Sequence, residues 1–168
     1  MAENSPTSDL IDLVHHEHDH LNKLFEDLSG TFEKIARGEL DEPRRDEVLD
    51  TAADDLQLAL DEMLHHFNQE EEVFFVAIEQ RFPQLSDDIT KLANAHELMC
   101  DRTRWLHRQL GKSRTTFGER IDEIMKVVKQ MHQLVKQHTT NENRLFGEAL
   151  QKMPAEERES LLEDMRRI

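Results

Sequence analysis

Residues 121–149 read IDEIMKVVKQMHQLVKQHTTNENRLFGEA, and this stretch decides the fold. Apolar side chains recur along it at alternating steps of three and four residues, the spacing that lines the buried face of a helix. The series is Ile121, Ile124, Val128, Met131, Val135, His138, Glu142, Leu145 and Ala149. Polar groups on a buried face need a partner. His138 and Glu142 therefore mark a candidate metal site.

Three further segments show the same spacing. The second segment repeats the polar pair, with the series Leu49, Ala52, Leu56, Ala59, Met63, His66, Glu70, Val73 and Ala77. The first and third segments carry one histidine each on their apolar faces, His18 and His96. Short connections favour antiparallel neighbours. We therefore expect an all-α protein, an up-down-up-down four-helix bundle with a short C-terminal helix.

Prolines and glycines separate these segments without suggesting a second domain. The breaks are Pro6, Pro43, Pro83, Pro154 and the stretch from Gly111 to Gly118. A chain of 168 residues is long enough to bury a core as one domain. We predict a single domain over residues 1–168, with the bundle at about 8–152 and a short capping helix at about 154–167.

Composition excludes several classes of function. The formal net charge of −15 argues against nucleic acids and anionic membranes as partners. The chain lacks tyrosine, so tyrosyl-radical chemistry is excluded. Cys100 is the single cysteine, which fits a reducing compartment. Because the N-terminus lacks the pattern of a signal peptide and no long apolar run follows, we expect a cytoplasmic location and no membrane partner.

The polar members of the four faces lie at matching depths in the predicted bundle. Four of them lie twelve or thirteen residues from the prolines at one end, about 18 to 20 Å at the helical rise. These four are His18, Glu70, His96 and Glu142. His66 and His138 lie one turn deeper. Unrelated polar residues would not match in depth across four helices, so we predict that these six side chains converge.

The residue types favour a metal centre. Spacing of i, i+4 places a histidine and a glutamate on one helix face within about one turn. Imidazole suits iron, zinc and copper, and a carboxylate can bridge two cations. A lone inward histidine is more often a hydrogen-bonded core residue, so the argument depends on the full set. Cys100, one turn beyond His96, and His15 are additional candidate ligands.

Residues next to the candidate ligands in the sequence are expected to have structural roles. In the acidic run 70–72 only Glu70 is expected to point inward, and Glu71 is expected on a solvated helix face. Phe67, Phe74 and Phe75 are interpreted as ordinary bundle packing.

The motifs around these positions resemble the hemerythrin family, especially its bacterial branch with the HHE cation-binding pattern. The resemblance covers roughly Ser8 to Lys152 and is carried by EHDHL at 17–21, HFNQEEEVFF at 66–75, AH at 95–96 and HTTNE at 138–142. It implies two iron ions, bridged by oxygen or hydroxide. The implied terminal ligands are His18, His66, His96 and His138, and the implied bridges are Glu70 and Glu142. It also implies binding of O₂ or a related small ligand.

Two departures from that family leave alternatives open. Oxygen-carrying members place a second histidine where this chain has Cys100, and they end the fourth-helix motif in an aspartate after four residues where this chain has Glu142 after three. Our first hypothesis is oxygen binding, storage or sensing, with no catalytic residues assigned. The alternatives are a di-iron enzyme acting on peroxide or nitric oxide, and an iron-handling or iron–sulfur repair protein. Zinc or manganese occupancy, and a protein partner, stay open.

Overall fold

The computed structural model describes the backbone of residues 6–167 and the side chains of residues 18–167. Within that range the regular structure is helical. The helices are α1 (Pro6–Ala36), α2 (Glu42–Gln69), α3 (Val76–Arg81), α4 (Ser86–Leu110), α5 (Phe117–Gln151) and α6 (Ala155–Arg167). A π-helical segment, Glu70–Phe75, joins α2 to α3 without a break. The predicted all-α class is confirmed.

Four long helical stretches pack around a common core. Helix α1 contacts α5 and α2, and α4 contacts α2 and α5, so the four form a closed ring. The connections at 37–41 and 111–116 are too short to return the chain to the same end of the bundle, so consecutive long helices run antiparallel. The predicted up-down-up-down bundle is confirmed.

Local signals end and restart the helices at the bundle turns. Gly38 follows α1 with a φ of +69°, a left-handed conformation that favours glycine. Asp41 then caps α2, since its Oδ1 accepts a hydrogen bond from the Arg44 backbone N–H at 2.9 Å. Pro43 occupies the first turn of α2, where its missing N–H leaves no hydrogen bond unmade.

The apolar core is divided in two by the layer of polar side chains. The large apolar cluster, which includes Phe25, Phe32 and Met131, fills the bundle on one side of this layer. The small apolar cluster, which includes Phe74 and Phe146, fills the other side. Along α5 the two clusters meet the polar layer at Val135 and Leu145. The polar residues therefore lie between two apolar regions of the core.

Helix α6 covers the small apolar cluster. Its buried residues are Leu161, Leu162 and Met165. The buried Gln69 side chain donates a hydrogen bond from Nε2 to the Met165 carbonyl oxygen at 2.8 Å. The predicted short C-terminal helix is confirmed, and this hydrogen bond anchors it next to Glu70.

The predicted second series is wrong beyond Glu70. Val73 and Ala77 are only half-buried, whereas Phe74, Phe75 and Ile78 are at most 3% exposed. The cause is the π-helical segment, in which backbone hydrogen bonds span five residues and shift the buried face by one position. This shift buries two phenylalanine rings in place of smaller side chains, which removes more apolar area from water.

Of the helices described here, none combines the length and the apolar character that crossing a membrane requires.

Candidate metal centre

All six predicted ligand residues meet in the centre of the bundle. Each is at most 2% exposed. They are His18 on α1, His66 on α2, Glu70 at the start of the π-helical segment, His96 on α4, and His138 and Glu142 on α5. The convergence predicted from the matching depths is thus present.

The side chains form two groups that share a carboxylate. The His18 cluster consists of His18, His66 and Glu70, and the His96 cluster consists of Glu70, His96, His138 and Glu142. In each group, one nitrogen or oxygen atom per residue lies within 4.8 Å of the others. Groups of this composition and spacing can hold a metal ion.

Both carboxylates contact histidines of both clusters. Glu70 Oε1 lies 2.8 Å from His66 Nε2, and Glu70 Oε2 lies 3.0 Å from His96 Nε2. Glu142 Oε1 lies 2.8 Å from His138 Nε2 and 3.3 Å from His96 Nε2. Its other oxygen, Oε2, lies 3.1 Å from His18 Nε2. Each glutamate therefore spans the space between the two clusters.

Several of these close contacts are not hydrogen bonds. His18 Nε2, Glu142 Oε2 and both carboxylate oxygens of Glu70 are buried and have no hydrogen-bond partner, although their neighbours are about 3 Å away. Leaving such atoms unpaired costs about 1–3 kcal/mol each. A shared cation would satisfy ring nitrogens and carboxylate oxygens together, so the donor set fits a metal.

The two buried carboxyl groups have opposite pKa shifts. Burial, reinforced by the negative charge of Glu70, raises the pKa of Glu142 to about 8. Burial also opposes ionisation of Glu70, but the His66 and His96 side chains outweigh it and hold the Glu70 pKa well below its usual value. Adjacent carboxylates of like charge cannot both ionise easily without a cation. Without metal, the pair therefore holds one negative charge near neutral pH.

The histidines also differ in their protonation. Burial lowers the pKa of His138 to about 3, and it lowers the pKa of His18 below its usual value. His96 is buried too, but its contacts with Glu142, Glu70 and Glu71 outweigh burial and raise its pKa well above the usual value. His18 and His138 are therefore neutral and can offer a lone pair directly, whereas His96 has to lose a proton first.

His96 is held by three neighbours that the sequence analysis assigned to other roles. Its Nδ1 lies 2.9 Å from Glu71 Oε1. Its ring stacks on Phe67 at 3.8 Å between centroids, with 5° between planes, and on Phe75 at 5.5 Å and 14°.

Glu71 keeps about 40% of its side chain exposed, as expected of a solvated face, but it also contacts the His96 ring. Phe67 and Phe75 pack in the core as expected, and they also stack on that ring. A hydrogen bond from Nδ1 to Glu71 leaves Nε2 facing the centre. Spacing along one helix gives no signal for these contacts, because they depend on where the His96 ring lies on another helix.

Of the two additional candidate ligands, Cys100 does not join either cluster. Cys100 is buried with a free thiol and packs in the large apolar cluster, one turn along α4 from His96. Burial raises the pKa of the Cys100 thiol, which favours the neutral form over the thiolate that binds metals. Its structural role is that of a small apolar side chain. The side chain of His15 lies outside the described residues.

One of three comparisons with known proteins gave a match, and it agrees with this geometry. Searches of curated proteins and of solved structures gave no match. The family described as hemerythrin HHE cation binding domain matches residues 9–150, which cover the four long helical stretches. The chain therefore belongs to the hemerythrin HHE cation-binding domain family.

Proposed function

We propose that the centre holds two iron ions and that the protein binds O₂ or a related small ligand there. His18 and His66 are the terminal ligands of one ion, and His96 and His138 are those of the other. Glu70 and Glu142 bridge the two. The observation that carries this proposal is that each glutamate contacts histidines of both clusters.

The chemistry of the donors supports a pair of ions over a single one. One ion cannot use four imidazoles and two carboxylates that are divided between two clusters with a shared member. Two carboxylates in a buried layer would repel each other, and two cations would remove that repulsion. Iron is favoured because mixed imidazole and carboxylate ligands suit it and because a ferrous pair can supply electrons to O₂.

The surrounding residues support ligand binding at this centre. The His18 cluster provides two imidazoles and one carboxylate, and the His96 cluster provides two of each, which leaves room around an ion for a small molecule. The large and small apolar clusters exclude bulk water from both sides of the layer. The hydrogen bond to Glu71 and the stacking of Phe67 and Phe75 hold the His96 ring in one orientation.

Metal analysis combined with an optical spectrum tests the proposal. We expect two irons per chain and new charge-transfer bands when the reduced protein meets O₂ or when the oxidised protein meets azide. The matched control is Glu72→Ala, which removes an exposed carboxylate next to the centre and should leave the spectrum unchanged. A protein that retains no iron, or one iron without such bands, contradicts the proposal.

A second candidate function is turnover of peroxide. The observation that favours it is the position of Cys100, which stands where oxygen-carrying members have a histidine and which lies outside both clusters. With one imidazole fewer, an ion in the His96 cluster has a further position open to a reactant. Turnover of hydrogen peroxide faster than that of an equal amount of free iron supports this function, and a rate no faster than free iron excludes it.

A further inference from the structure

A cleft of about 380 Å³ lies between α4 and α5, and His138 of the His96 cluster is one of its lining residues. The buried residues among those that line it are Leu92, His138 and Leu145. Ala95, the residue before His96, also lines the cleft, and its small side chain leaves space beside the His96 cluster. His138 therefore belongs both to the metal centre and to the lining of the cleft, with its side chain buried.

The rim of this cleft is positively charged in a strongly acidic chain. Lys91 and Arg144 line it and are exposed, and neither has an ion-pair partner among the side chains that the structure describes. Asp88 is the one carboxylate among the lining residues, so the two cations leave a net positive charge. The whole chain has a formal net charge of −15. A local positive potential concentrates anions at this opening.

We propose that the α4–α5 cleft is an anion-selective access site, through which small inorganic anions reach the His138 side of the His96 cluster. The inference rests on the proposed function for what the anion meets inside. A water molecule takes about 30 Å³ of liquid volume. The cleft therefore accommodates an anion the size of azide, nitrite or hydroperoxide with some of its hydration, while Asn141 and Gln137 on the rim offer amide donors.

The charge of the rim predicts a difference between anionic and neutral ligands. Lys91 and Arg144 attract azide, but they exert no comparable force on O₂, which carries no charge. Reversing both charges should therefore slow azide and leave O₂ unaffected. This contrast separates electrostatic guidance from damage to the metal centre, which would slow both ligands.

The experiment measures second-order rate constants for azide and O₂ by stopped-flow mixing. The test variant is Lys91→Glu with Arg144→Glu. The matched control is Lys126→Glu with Lys129→Glu, which makes the same change in net charge on an exposed part of α5 about two turns or more from His138. Iron content and the optical spectrum are determined first for each protein, so a failure of the proposed function is recognised before any rate is measured.

We expect the azide rate of the test variant to fall about tenfold at low salt and the difference to shrink as salt shortens the screening length. The control should change less than about twofold, and the O₂ rate should stay the same in all three proteins. Equal effects of the two double variants on azide would overturn the proposal, because they would show a response to net charge alone. A parallel loss in O₂ rate would overturn it as well.

A second measurement needs no iron. Titration of the metal-free protein with azide, followed by amide NMR shifts, should move the signals of Ala95, Asn141 and their neighbours and leave those around Lys126 and Lys129 in place. The Lys91→Glu and Arg144→Glu variant should lose these shifts. Shifts centred elsewhere, or none, would contradict an anion site in this cleft.

Discussion

The His18 cluster and the His96 cluster have the same kinds of ligand but different surroundings. In the His18 cluster the rings of His18 and His66 meet edge to face, with centroids 5.3 Å apart, and burial keeps His18 neutral by lowering its pKa. In the His96 cluster the His96 ring is stacked between two phenylalanines and contacts three carboxylates, which raise its pKa. Of the described residues of the two clusters, His138 of the His96 cluster lines the α4–α5 cleft, and His18 and His66 do not.

The comparison distinguishes the residues that link the two clusters from the residues that set the properties of the His96 cluster. The shared glutamates make the two clusters one structural unit, because each carboxylate contacts both. The residues around His96 set its orientation and charge, and His138 of the same cluster lines the α4–α5 cleft. We therefore expect the two clusters to bind metal together. We also expect their metal affinities to change by different amounts when surrounding residues are substituted.

Removal of the shared carboxylate should have the largest effect. Glu70→Ala takes a ligand from both clusters, so we expect loss of both metal ions. His18→Ala takes a ligand from one cluster and should retain about one ion per chain. Metal content after anaerobic loading with ferrous iron measures both variants, and Glu72→Ala serves as the control. Two ions retained in Glu70→Ala would show that the clusters are not linked as described.

Metal binding should stabilise the fold by the next largest amount. The metal-free protein keeps two carboxyl groups and four imidazoles in the core without a cation. At free metal 100-fold above the dissociation constant, linkage predicts about 2.7 kcal/mol of added stability, or roughly 5–10 °C in Tm for a chain of this size. Thermal unfolding with and without a chelator measures the shift. An unchanged Tm in wild type that contains metal would argue against a metal in this layer.

The periodicity of the sequence was sufficient to predict much of this arrangement. Steps of three and four residues correctly identified buried residues of α5 from Ile121 to Ala149, including His138 and Glu142. Counting residues from the prolines gave matching depths for the ligands, because helical rise is nearly constant. The fold and the convergence of the six side chains followed from those two regularities.

The surroundings of His96 could not be predicted by the same counting. The π-helical segment adds a residue to the turn after Glu70, so a constant step places Val73 where Phe74 lies. Glu71 is about 40% exposed, and its role depends on where the His96 ring lies on another helix. The cleft depends on how α4 and α5 diverge at their surfaces, which the spacing along one helix does not specify.

Disruption of the contact between Glu71 and His96 should weaken metal binding without removing a ligand. Glu71→Ala leaves Nδ1 of His96 without its partner, and loss of such supporting hydrogen bonds typically costs 10–100-fold in metal affinity. Competition with a chromophoric chelator measures the affinity. Because Glu71 contacts only the His96 cluster, one of the two ions should weaken more than the other. Equal affinities in the variant and in Glu72→Ala would contradict the supporting role.

Metal affinity should also depend on pH. Metal binding requires the carboxylate form of Glu142, whose pKa burial raises to about 8. It also requires His96 to lose a proton from a ring nitrogen, and the surrounding carboxylates raise the pKa of His96. Metal binding therefore releases protons, and apparent affinity rises with pH by up to about tenfold per unit for each proton released.

The rise due to Glu142 should level off above pH of about 8. Calorimetric titration in buffers of different ionisation enthalpy counts the protons released. An affinity that is constant between pH of about 6 and 8 would show that these two groups are not displaced by the metal.

Anomalous diffraction at the iron absorption edge tests the central claim most directly. Crystals of the iron-loaded protein should show two anomalous peaks in the polar layer. One peak should be ligated by His18 and His66 and the other by His96 and His138, with Glu70 and Glu142 between them. A single peak, or two peaks that do not share a glutamate, would contradict the account.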